Sequence, residues 1–166
     1  YQKVIEIIDP QKSGKYVDGT VGAGGHAFGI LEKSKPSGLL LALDLDEQAL
    51  EIARKRLASF ERRAIFRKGS FAQMMDHMLK IGWNCVNGVI LDLGISSIQL
   101  DNAERGFSFQ KPARLDMRFN LNEETTAEDL VNTLNESDLR YIIRTYGEEP
   151  YYRKITSTII ANRPIS

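Results

Sequence analysis

Residues 17–26 read Val17-Asp18-Gly19-Thr20-Val21-Gly22-Ala23-Gly24-Gly25-His26. Within this stretch Gly22-Ala23-Gly24-Gly25-His26-Ala27 satisfies G-x-G-x-x-G/A directly after a predicted strand, Lys15–Asp18. Such a turn lets the backbone press against a ligand, usually a nucleotide. Glycines also permit any tight strand-to-helix turn, so the motif alone is a weak signal. Asp44 adds independent support. It lies about 20 residues past Gly24, at the end of the next apolar run, where an acid grips ribose hydroxyls.

On either side of this turn, short β-rich or apolar runs occur at Lys15–Asp18, Leu39–Asp44, Ala64–Arg67 and Val86–Asp92. Helical patterns lie between them. Leu50, Ala53, Leu57 and Phe60 fall on one face of a helix predicted over Glu47–Phe60, and Met74, Met75, Met78 and Leu79 do so over Phe71–Ile81. Strands alternating with helices give an α/β class with a parallel sheet, and strands without alternation fit a sheet covered on both faces. Gly94–Phe119 has no clear period. Beyond it, Thr126 is expected to cap one helix, Ser137 a second ending near Gly147, and Pro150 to sit in the first turn of a third ending before Pro164. The expected domains are residues 1–112, half of a doubly wound sheet, and 113–166, the start of a helical subdomain. Four parallel strands leave that sheet incomplete. A chain starting at Tyr1 rather than Met is expected to be processed or excised.

The 166 residues are 42% hydrophobic and 27% charged, as in ordinary globular proteins. No apolar run is long enough to cross a bilayer, and nothing resembles a signal peptide. One cysteine, Cys85, rules out an internal disulfide and points to a reducing, intracellular setting. No metal site is indicated: His26, His77 and Cys85 lack ligand spacing, and His77 lies on a Met-rich helix. No Gly-Lys-Ser/Thr follows the glycines, so there is no P-loop. The 22 basic and 22 acidic side chains cancel, which argues against a nucleic-acid partner without excluding a local basic patch.

Asp18 separates the nucleotide readings. A carboxylate at the mouth of the turn repels a pyrophosphate, which disfavours an NAD-dependent oxidoreductase, as does the lack of an identifiable proton-relay pair. S-adenosylmethionine carries a sulfonium and an ammonium and no phosphate, so the acid suits it, while Asp44 suits its ribose. Asp92 is a further acid at a strand end beside the same crevice. Asp46 directly precedes a helix and reads as its N-cap.

Asp18-Gly-Thr-Val-Gly-Ala-Gly-Gly-His26, Ala42-Leu-Asp44-Leu-Asp46, Gly69-Ser-Phe71, Leu91-Asp92-Leu-Gly-Ile-Ser-Ser-Ile-Gln99-Leu-Asp101, Glu104-Arg-Gly-Phe-Ser-Phe109 and Leu115-Asp-Met-Arg118 follow in order. Together they resemble the bacterial RsmH (MraW) family, which has a mitochondrial relative, over nearly the whole chain. The resemblance implies a Rossmann-like S-adenosylmethionine-dependent methyltransferase core with an inserted helical subdomain. It implies methyl transfer to the exocyclic N4 of a cytidine in small-subunit ribosomal RNA. The implied setting is cytoplasmic, or the mitochondrial matrix for a eukaryotic relative, with ribosomal RNA or the small subunit as partner and a homodimer left open. By the same resemblance Gly24, Gly25 and His26 line the cofactor, joined by Gly22 and Asp18 of the turn. Asp44 holds the ribose, Phe71 packs on adenine, and Asp92 and Gln99 complete the pocket. Ile98 stands where the family pattern usually has Pro. Family members also continue past the helical insertion, in which this chain ends, so the activity of this chain is left open.

Asp92 is the candidate catalytic acceptor for an N4 proton. Ser96 and Ser97 stand where many amino-methyltransferases carry a Pro-Pro-aromatic loop, and either contact the base or cap the next turn. Arg105, Lys111, Arg114 and Arg118 interleave with Phe107, Phe109 and Phe119, a pattern that suits single-stranded RNA. Arg105, Phe107, Phe109, Arg114 and Arg118 are the candidate RNA contacts; the alternative is a structured loop anchored by its Phe residues. A non-catalytic RNA-binding or ribosome-assembly module is the third reading.

Overall fold

The computed structural model describes residues 1–166. Two compact units divide between Gly94 and Ile95. The first unit carries helix α1 (Gln2–Ile8), β1 (Lys15–Asp18), α2 (Gly25–Lys33), β2 (Leu39–Asp44), α3 (Glu47–Arg56), β3 (Ala64–Lys68), α4 (Met74–Leu79) and β4 (Gly88–Ile90). All four strands run parallel in the order β3-β2-β1-β4, giving the expected α/β, Rossmann-like arrangement. Its topological switch point lies at β1, where the order turns from β2 on one side to β4 on the other.

Successive side chains of the strands serve opposite faces. Tyr16, Leu40, Ala42 and Ile90 join Ile5, Ile30, Leu31, Leu50, Leu57 and Phe60 on the face covered by α1, α2 and α3. Val17, Leu41 and Leu43 face Met78 and Trp83. Burial on both faces explains why β2, LLLALD, shows no alternation.

Asp46 caps α3, its side chain accepting the Gln48 N–H at 3.0 Å, as expected. Glu47 in the first turn and Arg54, Lys55 and Arg56 in the last complement the helix dipole. That helix ends at Arg56, short of the expected Phe60. Leu57 and Phe60 still reach the core because the chain continues into a 3-10 turn over Ala58–Arg63. The Met-rich stretch is likewise split, a 3-10 turn at Phe71–Gln73 preceding α4. Of its four apolar positions only Met78 is buried, because a helix of so few residues offers a single side to the sheet. Helix α1 carried no capping side chain and was not anticipated.

The second unit contains α5 (Ser97–Asp101), α6 (Ala127–Thr133), α7 (Glu136–Thr145) and α8 (Tyr152–Ala161). Thr126 caps α6 in a reciprocal arrangement with Asp129. Asn135, not Ser137, caps α7, since its amide oxygen accepts the Asp138 N–H at 2.9 Å. Pro150 lies in the turn before α8 rather than inside it. No helix is long and apolar enough to cross a membrane.

Candidate functional site

Three carboxylates end three adjacent strands of the first unit: Asp18 closes β1, Asp44 closes β2, and Asp92 follows β4. Asp18 is 1% exposed and lies beneath the glycine turn, not at its mouth. Its Oδ1 accepts the Thr20 N–H at 3.2 Å. Burial, with the negative charges of Asp44 and Asp92 adding to it, pushes its pKa up to about 7. Burial also raises Asp44, opposed by backbone N–H groups of Asp46 and Gly22. The Asp92 side chain is 70% exposed, and its Oδ2 lies 3.9 Å from Nδ1 of His26.

The turn between β1 and α2 is tied to both flanking strands. Gly19 donates its N–H to the Ile90 carbonyl and Val21 to the Leu43 carbonyl, both at 2.9 Å. Gly22 donates to Oδ2 of Asp44 at 2.9 Å. Thr20 Oγ1 accepts the Asp92 N–H at 2.7 Å, joining the turn to the segment after β4. The acids and the turn are therefore one hydrogen-bonded assembly.

Gly24, at φ 77°, occupies the left-handed region and is the residue from which α2 starts. Gly25 follows as the first helical residue, and a Cβ built there would meet nothing within 4 Å. No protein atom requires a glycine at that position, so its bare backbone is open to a ligand. His26 comes next, its ring stacked on Tyr1 at 5.8 Å between centroids. Phe71 begins the 3-10 turn after β3 and is 38% exposed, and its Cβ lies within reach of one built on Gly19. Asp18, Gly22, Gly24, Gly25, His26, Asp44, Phe71 and Asp92 thus all belong to the end of the sheet where β1, β2, β3 and β4 stop.

This donor set fits a nucleoside bearing positive charge. A phosphate brought to three carboxylates meets repulsion, whereas a cation relieves the crowding that drives Asp18 toward its neutral form. The feature invisible in the sequence was the depth of Asp18.

The remaining expected residues lie in the second unit. Gln99 is buried and its Oε1 accepts the Ser96 N–H at 3.0 Å, completing a capping box on α5. Ser96 is thus a helix cap, one of the two roles considered for it. Arg105 requires a correction as an RNA contact. It is 3% exposed, and its Nη2 donates to the carbonyls of Arg118 and Phe119 at 2.8 and 3.2 Å. Arg118 is also engaged internally, donating to both oxygens of Asp116 and to the carbonyls of Leu121 and Glu123. That contact holds the Asp116 carboxyl below the usual carboxylate range. Phe107 packs against Phe119 at 5.3 Å between centroids. Phe109, by contrast, is fully exposed, and Arg114 projects with only Glu128 as an ion-pair partner. Gly106–Phe109, Lys111–Leu115 and Met117 line an open depression of about 310 Å³.

Ribosomal RNA small subunit methyltransferase H of Geotalea daltonii is 50% identical over 97% of this chain and 52% of its own length. The proteins of that name from Syntrophotalea carbinolica and Geobacter sulfurreducens are each 49% identical, over 95% and 97% of this chain and 50% and 52% of their own lengths. The chain spans about half the length of the curated relatives it matches. Matched from residue 1 to residue 166, it belongs to the MraW methylase family.

Proposed function

We propose that the full-length protein transfers a methyl group from S-adenosylmethionine to the exocyclic N4 of a cytidine in small-subunit ribosomal RNA, in the cytoplasm. The observation that carries the reading is the ring of carboxylates around a glycine turn, Asp18, Asp44 and Asp92, which favours a cationic, phosphate-free nucleoside. The family membership and the relatives' printed name support the RNA substrate.

When bound, S-adenosylmethionine supplies an electrophilic methyl group on a sulfonium. Asp44 would accept the ribose hydroxyls, with Gly22 fixing the carboxylate's orientation. The backbone of Gly24 and Gly25 would take the close approach of the nucleoside, and Phe71 would cover the adenine. Asp18 would act through its field from beneath the turn, since its burial bars contact on the exposed side. As the new C–N bond forms and the C–S bond breaks, the amino nitrogen sheds a proton. Asp92, exposed and with its Oδ2 3.9 Å from the His26 ring, is the group placed to accept it. On the RNA side, Phe109 and Arg114 are retained as contacts, with Lys111 beside them. Arg105, Arg118 and Phe107 are reassigned to holding the loop together.

Calorimetry on the full-length protein with S-adenosylmethionine and, separately, with NAD tests the cofactor. Binding of NAD alone overturns the reading. Labelled methyl donor with immature small ribosomal subunits tests the reaction, and no incorporation into RNA would favour a non-catalytic assembly role.

A further inference from the structure

Helices α7 and α8 form a hairpin whose connecting turn, residues 146–151, carries rings that packing does not explain. Tyr146 and Tyr151 are 74% and 72% exposed, and Tyr141 on α7 is 56% exposed. Tyr141 and Tyr146 meet edge to face at 5.8 Å. Beside them, two guanidinium groups converge on one half-buried ring: Arg144 lies 5.4 Å and Arg153 5.6 Å from the centroid of Tyr152. Neither arginine has a carboxylate partner, whereas Arg140, one turn earlier on α7, is paired with Glu136. Each guanidinium lies over the ring with no carboxylate to offset its charge, which leaves its N–H groups to an anion from outside the chain.

The turn's own carboxylates do not supply that anion. Glu149 is turned onto the backbone, accepting the Tyr151 N–H at 2.7 Å. Glu148 sits in the left-handed region at φ 49° and makes no ion pair. What remains at this end of the hairpin is exposed π-faces beside two unneutralised planar cations. Stacked bases and a phosphate backbone match that pairing, because every base has a face to stack and phosphate accepts from a guanidinium fork. An acidic peptide would use the arginines and leave the tyrosines idle.

We infer that the 146–151 end of the α7–α8 hairpin binds single-stranded RNA, with bases stacked on Tyr146 and Tyr151 and the backbone held by Arg144 and Arg153. The inference rests on the RNA-substrate reading above and adds a second contact surface to it, separate from the Phe109 loop.

The experiment is fluorescence anisotropy of the full-length protein with a mixed-sequence single-stranded RNA 15-mer over a range of salt. Arg144→Gln with Arg153→Gln should weaken binding by about tenfold or more. It should also flatten the slope of log affinity against log salt by about 1.4, from roughly 0.7 per lost phosphate contact. Tyr146→Ala with Tyr151→Ala should weaken binding by about tenfold, and the matching Phe variants should retain it, since stacking needs the ring and not the hydroxyl. Affinity for S-adenosylmethionine, measured in parallel, should not move. Unchanged RNA affinity and salt slope in the Gln variant, with tight wild-type binding, overturn this surface alone. Phe variants as weak as the Ala variants overturn the stacking. Wild-type protein that binds no RNA overturns the RNA reading beneath it.

Discussion

Gly22 donates its backbone N–H to the Asp44 carboxylate at 2.9 Å, so a side chain at the end of β2 holds the turn that follows β1. The same carboxylate is the proposed ribose acceptor. Asp44 therefore has a structural and a binding role that different substitutions can separate.

Asp44→Asn keeps one acceptor oxygen, enough for Gly22 or for Asp46 but not both, and removes the charge. Hydrogen bonds to charged groups contribute roughly 1.5–3 kcal/mol. Affinity for S-adenosylmethionine should fall about 10- to 100-fold by calorimetry, while the melting temperature falls less than in Asp44→Ala, since one of the two backbone hydrogen bonds survives. Asp44→Ala should lower both.

Gly25→Val separates binding from folding more cleanly. The position has no left-handed φ and no neighbour for a Cβ, so the melting temperature should hold. The added side chain would stand where the nucleoside has to approach. Loss of cofactor affinity by tenfold or more is expected, and unchanged affinity would remove the turn from the binding site.

The pKa of Asp18 is raised from the ordinary 3.8 to about 7. Between those values the folded protein holds a proton that the unfolded chain has released, so stability declines as pH rises from about 4 to about 7 and then levels. Asp18→Asn removes this dependence. Thermal melts should show the variant gaining most over wild type at pH 8 and least near pH 5. A cationic ligand that favours the ionised form should release a proton when it binds near pH 6, measurable by calorimetry in buffers of different ionisation enthalpy.

Arg105 and Arg114 should behave oppositely. Arg105→Lys leaves a buried cation unable to span the carbonyls of Arg118 and Phe119 and should cost about 2–4 kcal/mol of stability. Arg114→Gln loses an exposed pair with Glu128, worth about 0–1 kcal/mol. It should leave the melt almost unchanged and weaken RNA association. Equal stability loss in both would contradict the assignment.

The strands and the strand-end acids were legible because each is a local pattern: a short apolar run closed by Asp18 or Asp44, and Asp92 after a third. Depth was not legible, since the burial of Asp18 depends on how turn, sheet and helix close over it. The loop after residue 94 misled for a related reason. Alternating Arg and Phe reads the same whether the cations face water or backbone carbonyls, and only the fold turns Arg105 inward while Phe109 stays out. Helix ends failed by a few residues where two caps competed, as at Asn135 and Ser137. Tyr141, Tyr146 and Tyr151 carry no local mark of their exposure, which is a tertiary fact.

The turn at residues 19–22 is tied to β4 on one flank and to β2 on the other. A seat fastened on both sides has no slack to take up when its occupant arrives. Little backbone freedom is left to lose, so affinity follows directly from the contacts made. Association at this turn should resemble a key entering a finished lock, with observed rates that rise linearly with ligand concentration and no slow closing step.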